Sequence, residues 1–180
     1  PEGVHVVRLE KVTESQKGSA RFLGFFDYAQ ALPPQSRAKQ IEFIGDSYTV
    51  GYGNTSPVRG CTRDAIHHST DTQQAFGPVL ARRLGADYRV VAYSGYGVVR
   101  NYAGHDAGKS LPLLYARGIP GEDGSVARPA AWKPQLIVIN LGTNDFSTPL
   151  KPGEPWADQP ALRAAYRTRY IAFMRELKGA

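Results

Sequence analysis

The sequence has 180 residues, of which 42% are hydrophobic and 21% are charged, a composition typical of globular proteins and not of disordered chains. No apolar run approaches the roughly 20 residues that a membrane-spanning helix needs, and the net charge of +6 comes from scattered Lys and Arg residues, not from the basic stripe of a nucleic-acid-binding surface. Cys61 is the only cysteine, so neither an internal disulfide nor a thiolate metal cluster can form within this sequence.

Two segments near the start of the sequence are rich in β-branched and aromatic residues. Residues 4–12 and 20–28 flank a polar loop that contains Gly18, a pattern that predicts two antiparallel strands. Because a lone hairpin is marginal in water, we expect these strands to pack on the rest of the chain or on other strands of a β-domain. The polar, Pro-containing stretch 31–40 predicts a linker.

From Ile41 onward, strand patterns alternate with helix patterns, which predicts an α/β fold with a parallel sheet. The expected strands cover residues 41–45, 87–95 and 135–142, and the expected helices run from residue 70 or 71 to 84, around 111–117, and over 161–178. In the first of these helices the residues expected to face the core are Ala75, Phe76, Val79, Leu80 and Leu84. In the last helix one apolar stripe is expected, made by Leu162, Ala165, Tyr166, Tyr170, Phe173, Met174 and Leu177. The nearly continuous apolar run of the third strand predicts burial on both faces.

Each of the three expected strands ends in small or polar residues, namely Gly45-Asp46-Ser47, Ser94-Gly95-Tyr96-Gly97 and Gly142-Thr143-Asn144-Asp145. Taken singly, each motif is also compatible with an ordinary turn. Parallel strands bring their carboxyl ends to one edge of the sheet, so the three motifs together predict a site there. Ser47 is the candidate nucleophile, and its own N–H, the Gly95 N–H and the Asn144 amide could stabilise an oxyanion.

These motifs resemble those of the SGNH or GDSL esterases, and the stretches IEFIGDSYTVGYGN, YSGYGVVRNYAG and INLGTNDFS are most similar to the family two carbohydrate esterases. The resemblance implies a flavodoxin-like three-layer α/β sheet, here with about three parallel strands, preceded by the last strands of a β-sandwich (jelly-roll) domain. The implied organisation is a sandwich end over 1–30, a linker over 31–40 and an esterase domain over 41–180.

The same resemblance implies a serine esterase that removes O-acetyl groups from plant cell-wall polysaccharides such as xylan and glucomannan. Ser47 would be the nucleophile, and Ser47, Gly95 and Asn144 would form the oxyanion hole. No metal or cofactor is implied, and neither nucleic acid nor a membrane is an expected partner. The family resemblance also implies secretion or a periplasmic location, although the first residues do not have the pattern of a signal peptide.

A base for Ser47 is missing from the sequence pattern. The family's Asp-x-x-His block would follow the last helix, and the four histidines present are His5, His67, His68 and His105. His105 shares the loop of the glycine motif, so it is a candidate base by loop proximity alone. We therefore expect the sequence to be a fragment that is inactive by itself. Asp46 and Asp145 are expected to bind loop backbone and not to act as the acid of a triad.

Two alternatives remain open at the level of sequence. One keeps the same machinery but acts on a lipid or thioester. The other is a carbohydrate-binding protein without hydrolytic activity, in which loop aromatics stack on sugar rings; its candidates are Trp132, Trp156, Tyr48, Tyr52, Tyr96 and Tyr102. For either carbohydrate function, Tyr48, Tyr96 and Trp156 are the expected substrate-binding residues. The preferred sugar and the oligomeric state are open.

Overall fold

The structure, a computed structural model, describes residue 3 and residues 5–14, 21–25, 35–117 and 131–179. Its strands are β1 (Gln40–Gly45), β2 (Asp87–Ala92) and β3 (Leu136–Asn140), and its helices are α1 (Ser47–Val50), α2 (Arg63–His68), α3 (Phe76–Arg83), α4 (Leu111–Leu114), α5 (Thr143–Phe146) and α6 (Gln159–Lys178). Two 3₁₀ turns, Thr72–Gln74 and Tyr102–Gly104, complete the described elements. Within these ranges no helix combines the length and the apolar character needed to cross a bilayer.

The three strands form one parallel sheet in the order β2-β1-β3, as the alternating pattern predicted. Phe43 of the central strand is opposite Val90 of β2 and Val138 of β3. This register brings the ends of all three strands, Gly45, Ala92 and Asn140, to the same level of the sheet. The loops that follow the strands therefore start side by side along one edge.

Helices cover both faces of the central strand, which gives three layers. On one face Ile41 and Phe43 pack with Ala81 of α3 and with Ala86. On the other face Ile44 packs in a second buried cluster made by α4, α6 and neighbouring residues, namely Tyr96, Leu111, Leu114, Tyr115, Phe173 and Leu177. The apolar stripe expected for α6 is thus confirmed at its buried positions, whereas Met174 is exposed.

Two expectations about burial are wrong. Strand β3 is only half-buried, and Leu136 at its start is 49% exposed, because β3 is at the edge of the described sheet and only β1 has a strand on each side. The expected core face of α3 is also wrong at Phe76, Leu80 and Leu84, which are exposed, whereas Ala75 is buried as expected and Val79 is partly buried. A Cβ at Gly77 would lie 2.8 Å from the Phe43 ring, so α3 contacts the sheet through its small residues, Gly77 and Ala81.

The antiparallel strands expected near the start of the sequence are not formed by the described parts of those segments, residues 5–12 and 21–25. Residues 5–14 instead contact the region of β2. Val12 accepts a hydrogen bond from the Thr72 N–H (3.0 Å), and Arg8 Nη2 donates to the Tyr88 hydroxyl (2.6 Å). The remaining residues of the expected pair lie outside the described residues, and the domain division at 31–40 stays a prediction.

Candidate active site

Ser47 is placed by an abrupt turn at the end of β1. A Cβ at Gly45 would lie 1.9 Å from Thr49 Oγ1 and 2.9 Å from the carbonyl oxygen of Asn140. Only glycine therefore lets helix α1 begin directly against the ends of β1 and β3. Ser47 is the first residue of α1 and is half-buried at the carboxyl edge of the sheet.

Asp46 has the structural role expected of it. Its buried carboxylate accepts the Tyr48 N–H through Oδ1 (3.1 Å), which caps α1, and accepts a proton of Asn144 Nδ2 through Oδ2 (3.1 Å). Burial raises the pKa of Asp46, and the nearby charge of Asp145 adds to that rise. Asp46 thus links the serine motif of the first strand to the asparagine motif of the third.

Asn144 is buried in α5 and joins all three strand ends. In addition to the bond with Asp46, its Nδ2 donates to the carbonyl oxygen of Tyr96 (2.9 Å). A side-chain amide has two protons, so both already have protein acceptors. An oxyanion could therefore receive a hydrogen bond from Asn144 only by sharing or replacing one of these two bonds.

Two backbone N–H groups at the strand ends are available as donors. Among the residues that the structure describes, neither the Ser47 N–H nor the Gly95 N–H donates to a protein acceptor. Gly95 has a φ of +86°, a conformation that favours glycine, and its carbonyl oxygen accepts the Tyr102 N–H (2.8 Å).

Asp145 fixes the loop that follows Gly95. Its fully buried carboxylate accepts the backbone N–H groups of Val98 (3.0 Å), Val99 (2.9 Å) and Arg100 (3.0 Å). Burial raises the pKa of this carboxyl group, and these three hydrogen bonds oppose the shift. Asp145 therefore binds loop backbone, as expected, and holds the glycine motif against the asparagine motif.

Arg100, which is 2% exposed, reinforces the same junction. Its guanidinium forms a bidentate ion pair with Glu154 (Nε–Oε2 2.5 Å, Nη2–Oε1 2.9 Å) and donates from Nη1 to Thr148 Oγ1 (2.9 Å). Both Arg100 and Glu154 were missed at the level of sequence, because a single Arg and a single Glu in loops carry no motif.

A cavity of about 520 Å³ opens beside Ser47. Its lining brings together Ser47, Asn144 and Tyr48 among the expected site residues, and adds Gly51, Tyr52, Asn54, Tyr102, Thr143 and Ser147. Tyr48, Tyr52 and Tyr102 are 66%, 46% and 52% exposed, respectively. Exposed rings beside a cavity are able to stack on sugar rings.

Several other candidates lie elsewhere. Tyr96 is an incorrect choice as a stacking platform, because its ring is buried and its hydroxyl donates to Asp106 Oδ2 (2.7 Å). Trp156 is half-buried and does not line the cavity, and Trp132 contacts Glu42 through its Nε1 (3.3 Å).

His105 does not line the cavity either. Its ring packs edge-on against Tyr96, its Nδ1 is 3.3 Å from Asp106 Oδ2, and its Nε2 would lie 3.0 Å from a Cβ at Gly95. Among the described residues no histidine lines the cavity beside Ser47. These ranges also contain no group of three or more His, Cys, Asp or Glu side chains arranged to hold a metal ion.

The fold and the converging strand ends define a class of hydrolase. The chain belongs to the GDSL-like lipase/acylhydrolase family, which matches over residues 43–180.

Similar proteins include an acetylxylan esterase / glucomannan deacetylase from Cellvibrio japonicus, 50% identical over 177 residues that cover 97% of this chain and 49% of the relative. Among solved structures, a carbohydrate esterase whose active site "displays divergent catalytic and non-catalytic binding functions" is 48% identical, with a TM-score of 0.78, over 81% of this chain and 46% of that one. A family two carbohydrate esterase from Clostridium thermocellum, in complex with cellohexaose, is 31% identical, with a TM-score of 0.64, over 82% of this chain and 41% of that one. The chain thus spans between 41% and 49% of the length of these three relatives.

Proposed function

We propose that the protein is a serine esterase that removes O-acetyl groups from plant polysaccharides such as xylan and glucomannan. This proposal rests on the cavity that Ser47 and Asn144 line together. The adjacent strand ends also provide the Ser47 and Gly95 N–H groups as donors. The names of the relatives support an acetyl ester of a polysaccharide as the substrate. Because such a polymer does not enter a cell, the proposal includes action outside the cell.

In the proposed reaction Ser47 Oγ attacks the acetyl carbonyl carbon while a general base takes the hydroxyl proton. The negative charge that develops on the carbonyl oxygen is stabilised by the Ser47 N–H, the Gly95 N–H and the Asn144 amide. The sugar hydroxyl leaves with a proton, and water then hydrolyses the acetyl-serine ester to release acetate. We assign the base to a residue outside the described part of the chain, since no described histidine lines the cavity.

The test is acetate release from acetylated xylan and from a small chromogenic acetyl ester by the full-length protein. We expect Ser47→Ala to abolish release from both substrates, because the substitution removes the hydroxyl that is the proposed nucleophile. Asn144→Ala should lower kcat by about 10² to 10³, the usual loss for one oxyanion-hole donor.

Ser56→Ala is the matched control, since the Ser56 hydroxyl donates to the Val58 carbonyl oxygen away from the cavity. Normal turnover by Ser47→Ala would contradict the proposal.

A second candidate function is carbohydrate binding without hydrolysis. The three exposed tyrosines around the cavity and the absence of a described histidine from its lining favour it. Retardation of the full-length protein in a gel containing acetylated xylan, with no acetate released, would identify this function in place of the esterase.

A further inference from the structure

Glu14 connects the segment of residues 5–14 to the loop of the glycine motif. It is 80 positions from Ser94 in the sequence, yet its Oε1 accepts the Ser94 backbone N–H at 2.7 Å. Glu14 is partly buried where this segment passes the end of β2, beside a groove that it lines with Thr72, Tyr88 and Tyr93. The contact therefore reaches the residue directly before Gly95 from a part of the chain that carries no esterase motif.

The direction of the Gly95 N–H depends on the plane of the Ser94–Gly95 peptide. Two hydrogen bonds fix the backbone on either side of this peptide: Glu14 holds the Ser94 N–H, and the Tyr102 N–H donates to the Gly95 carbonyl oxygen at 2.8 Å. With its φ of +86°, Gly95 has no side chain that could restrict the backbone. The two anchors act together with a turn hydrogen bond, from the Tyr96 N–H to the Tyr93 carbonyl oxygen (3.2 Å), to orient the N–H between them.

The surroundings of Glu14 favour a defined position for its carboxylate. Burial raises the pKa of Glu14, while its hydrogen bonds to Ser94 and the charges of His67 and Lys11 oppose that rise. A carboxylate that is partly removed from water forms stronger hydrogen bonds to backbone N–H groups than an exposed one. Glu14 is thus suited to hold the Ser94 N–H in one orientation.

We propose that Glu14 is a positioning residue for the esterase reaction, because it orients the Ser94–Gly95 peptide so that the Gly95 N–H points toward the developing oxyanion. This inference rests on the proposed function. Glu14 does not contact the substrate in this role. Its effect is expected on kcat and not on KM, since an oxyanion interaction is made mainly in the transition state.

The experiment compares four variants of the full-length protein for hydrolysis of a small acetyl ester. Glu14→Ala and Glu14→Asp should lower kcat about tenfold with KM within about twofold, since the first removes the acceptor and the second withdraws it by one methylene group. Glu14→Gln should stay within about threefold of the unmodified protein, since its side-chain oxygen can still accept the Ser94 N–H.

Glu10→Ala is the control for an effect that comes only from attaching residues 5–14 to the rest of the protein. Glu10 lies on the same segment and accepts a hydrogen bond from the Tyr88 hydroxyl, far from Gly95. It should leave kcat unchanged. Equal losses for Glu10→Ala and Glu14→Ala, or an unchanged kcat for Glu14→Ala, would overturn the inference.

A spectroscopic readout separates this inference from the proposed function. The Gly95 cross-peak in a ¹H–¹⁵N spectrum should move in Glu14→Ala and remain near its original position in Glu14→Gln and Glu10→Ala. If the unmodified protein released no acetate, the proposed function would fail while this spectrum would still decide whether Glu14 orients the peptide. An unmoved Gly95 cross-peak in Glu14→Ala would overturn the inference whatever the activity.

Discussion

Tyr166 braces the loop that carries Asn144. Its hydroxyl donates to the carbonyl oxygen of Leu141 at 3.0 Å, and its ring stacks on Tyr170 of the same helix. Burial raises the pKa of Tyr166 to about 12, and the charge of Asp145 and the neighbouring Tyr170 add to the shift. The folded protein therefore keeps the Tyr166 proton at pH values where an unfolded chain loses it.

This shift makes the stability of the protein depend on alkaline pH. Because the unfolded tyrosine titrates near 10 and the folded one near 12, the contribution of Tyr166 is complete below about pH 10 and is lost as the pH rises toward 12. We expect the free energy of unfolding, measured in urea, to fall less steeply over that interval in Tyr166→Phe. Tyr52→Phe, which changes an exposed ring, should retain the steep decline; identical curves for Tyr166→Phe and the unmodified protein would contradict the assignment.

The two loops that follow β2 and α5 form one unit through Arg100 and Glu154. Replacing Glu154 with Ala would leave a buried guanidinium without its carboxylate, which typically costs about 3 to 5 kcal/mol. We expect urea unfolding of Glu154→Ala to show a loss of this order, and acetate release to fall with it because both loops carry site residues.

The double variant Arg100→Met/Glu154→Leu tests the cause, since it removes both charges and should recover part of the stability. A loss in the double variant as large as the two single losses added together would argue against a coupled pair.

At the scale of elements, hydrophobic patterns predicted burial correctly for β1 and for part of α6. Strand β1 and the Leu162, Phe173 and Leu177 positions of α6 are buried as expected. The pattern failed for α3, because the close contact between Gly77 and the Phe43 ring turned its larger residues outward. Strand β3 shows a second limit: a local apolar run does not reveal whether a strand lies at the centre or at the edge of the described sheet.

The candidate site was predictable only where a motif follows a strand. The serine and asparagine motifs gave Ser47 and Asn144, and the structure places both at one cavity. The contacts of Arg100 with Glu154 and of Glu14 with Ser94 join residues 54 and 80 positions apart. Such pairs are set by tertiary packing, so no local sequence pattern predicts them.

For the whole molecule, the exposed rings around the cavity predict a preference for polymeric substrates. Tyr48, Tyr52 and Tyr102 come from α1, the loop after it and a distant 3₁₀ turn, and together they line one opening. Replacing both Tyr48 and Tyr102 with Ala should raise KM for acetylated xylan about tenfold or more, since each lost stacking contact weakens binding by about 1 kcal/mol. The KM for a small acetyl ester, which has no sugar ring to stack, is the internal control and should rise much less; an equal rise for both substrates would contradict sugar stacking.

The occupied amide of Asn144 has a consequence for selectivity between the ground state and the transition state. A neutral ester carbonyl is a weak acceptor and competes poorly with the Asp46 carboxylate for an amide proton. An oxyanion is a strong acceptor and can compete. Asn144 would then stabilise the bound substrate only weakly and the tetrahedral intermediate strongly. The hydrogen bond with Asp46 would thus favour turnover over tight binding of substrate or product.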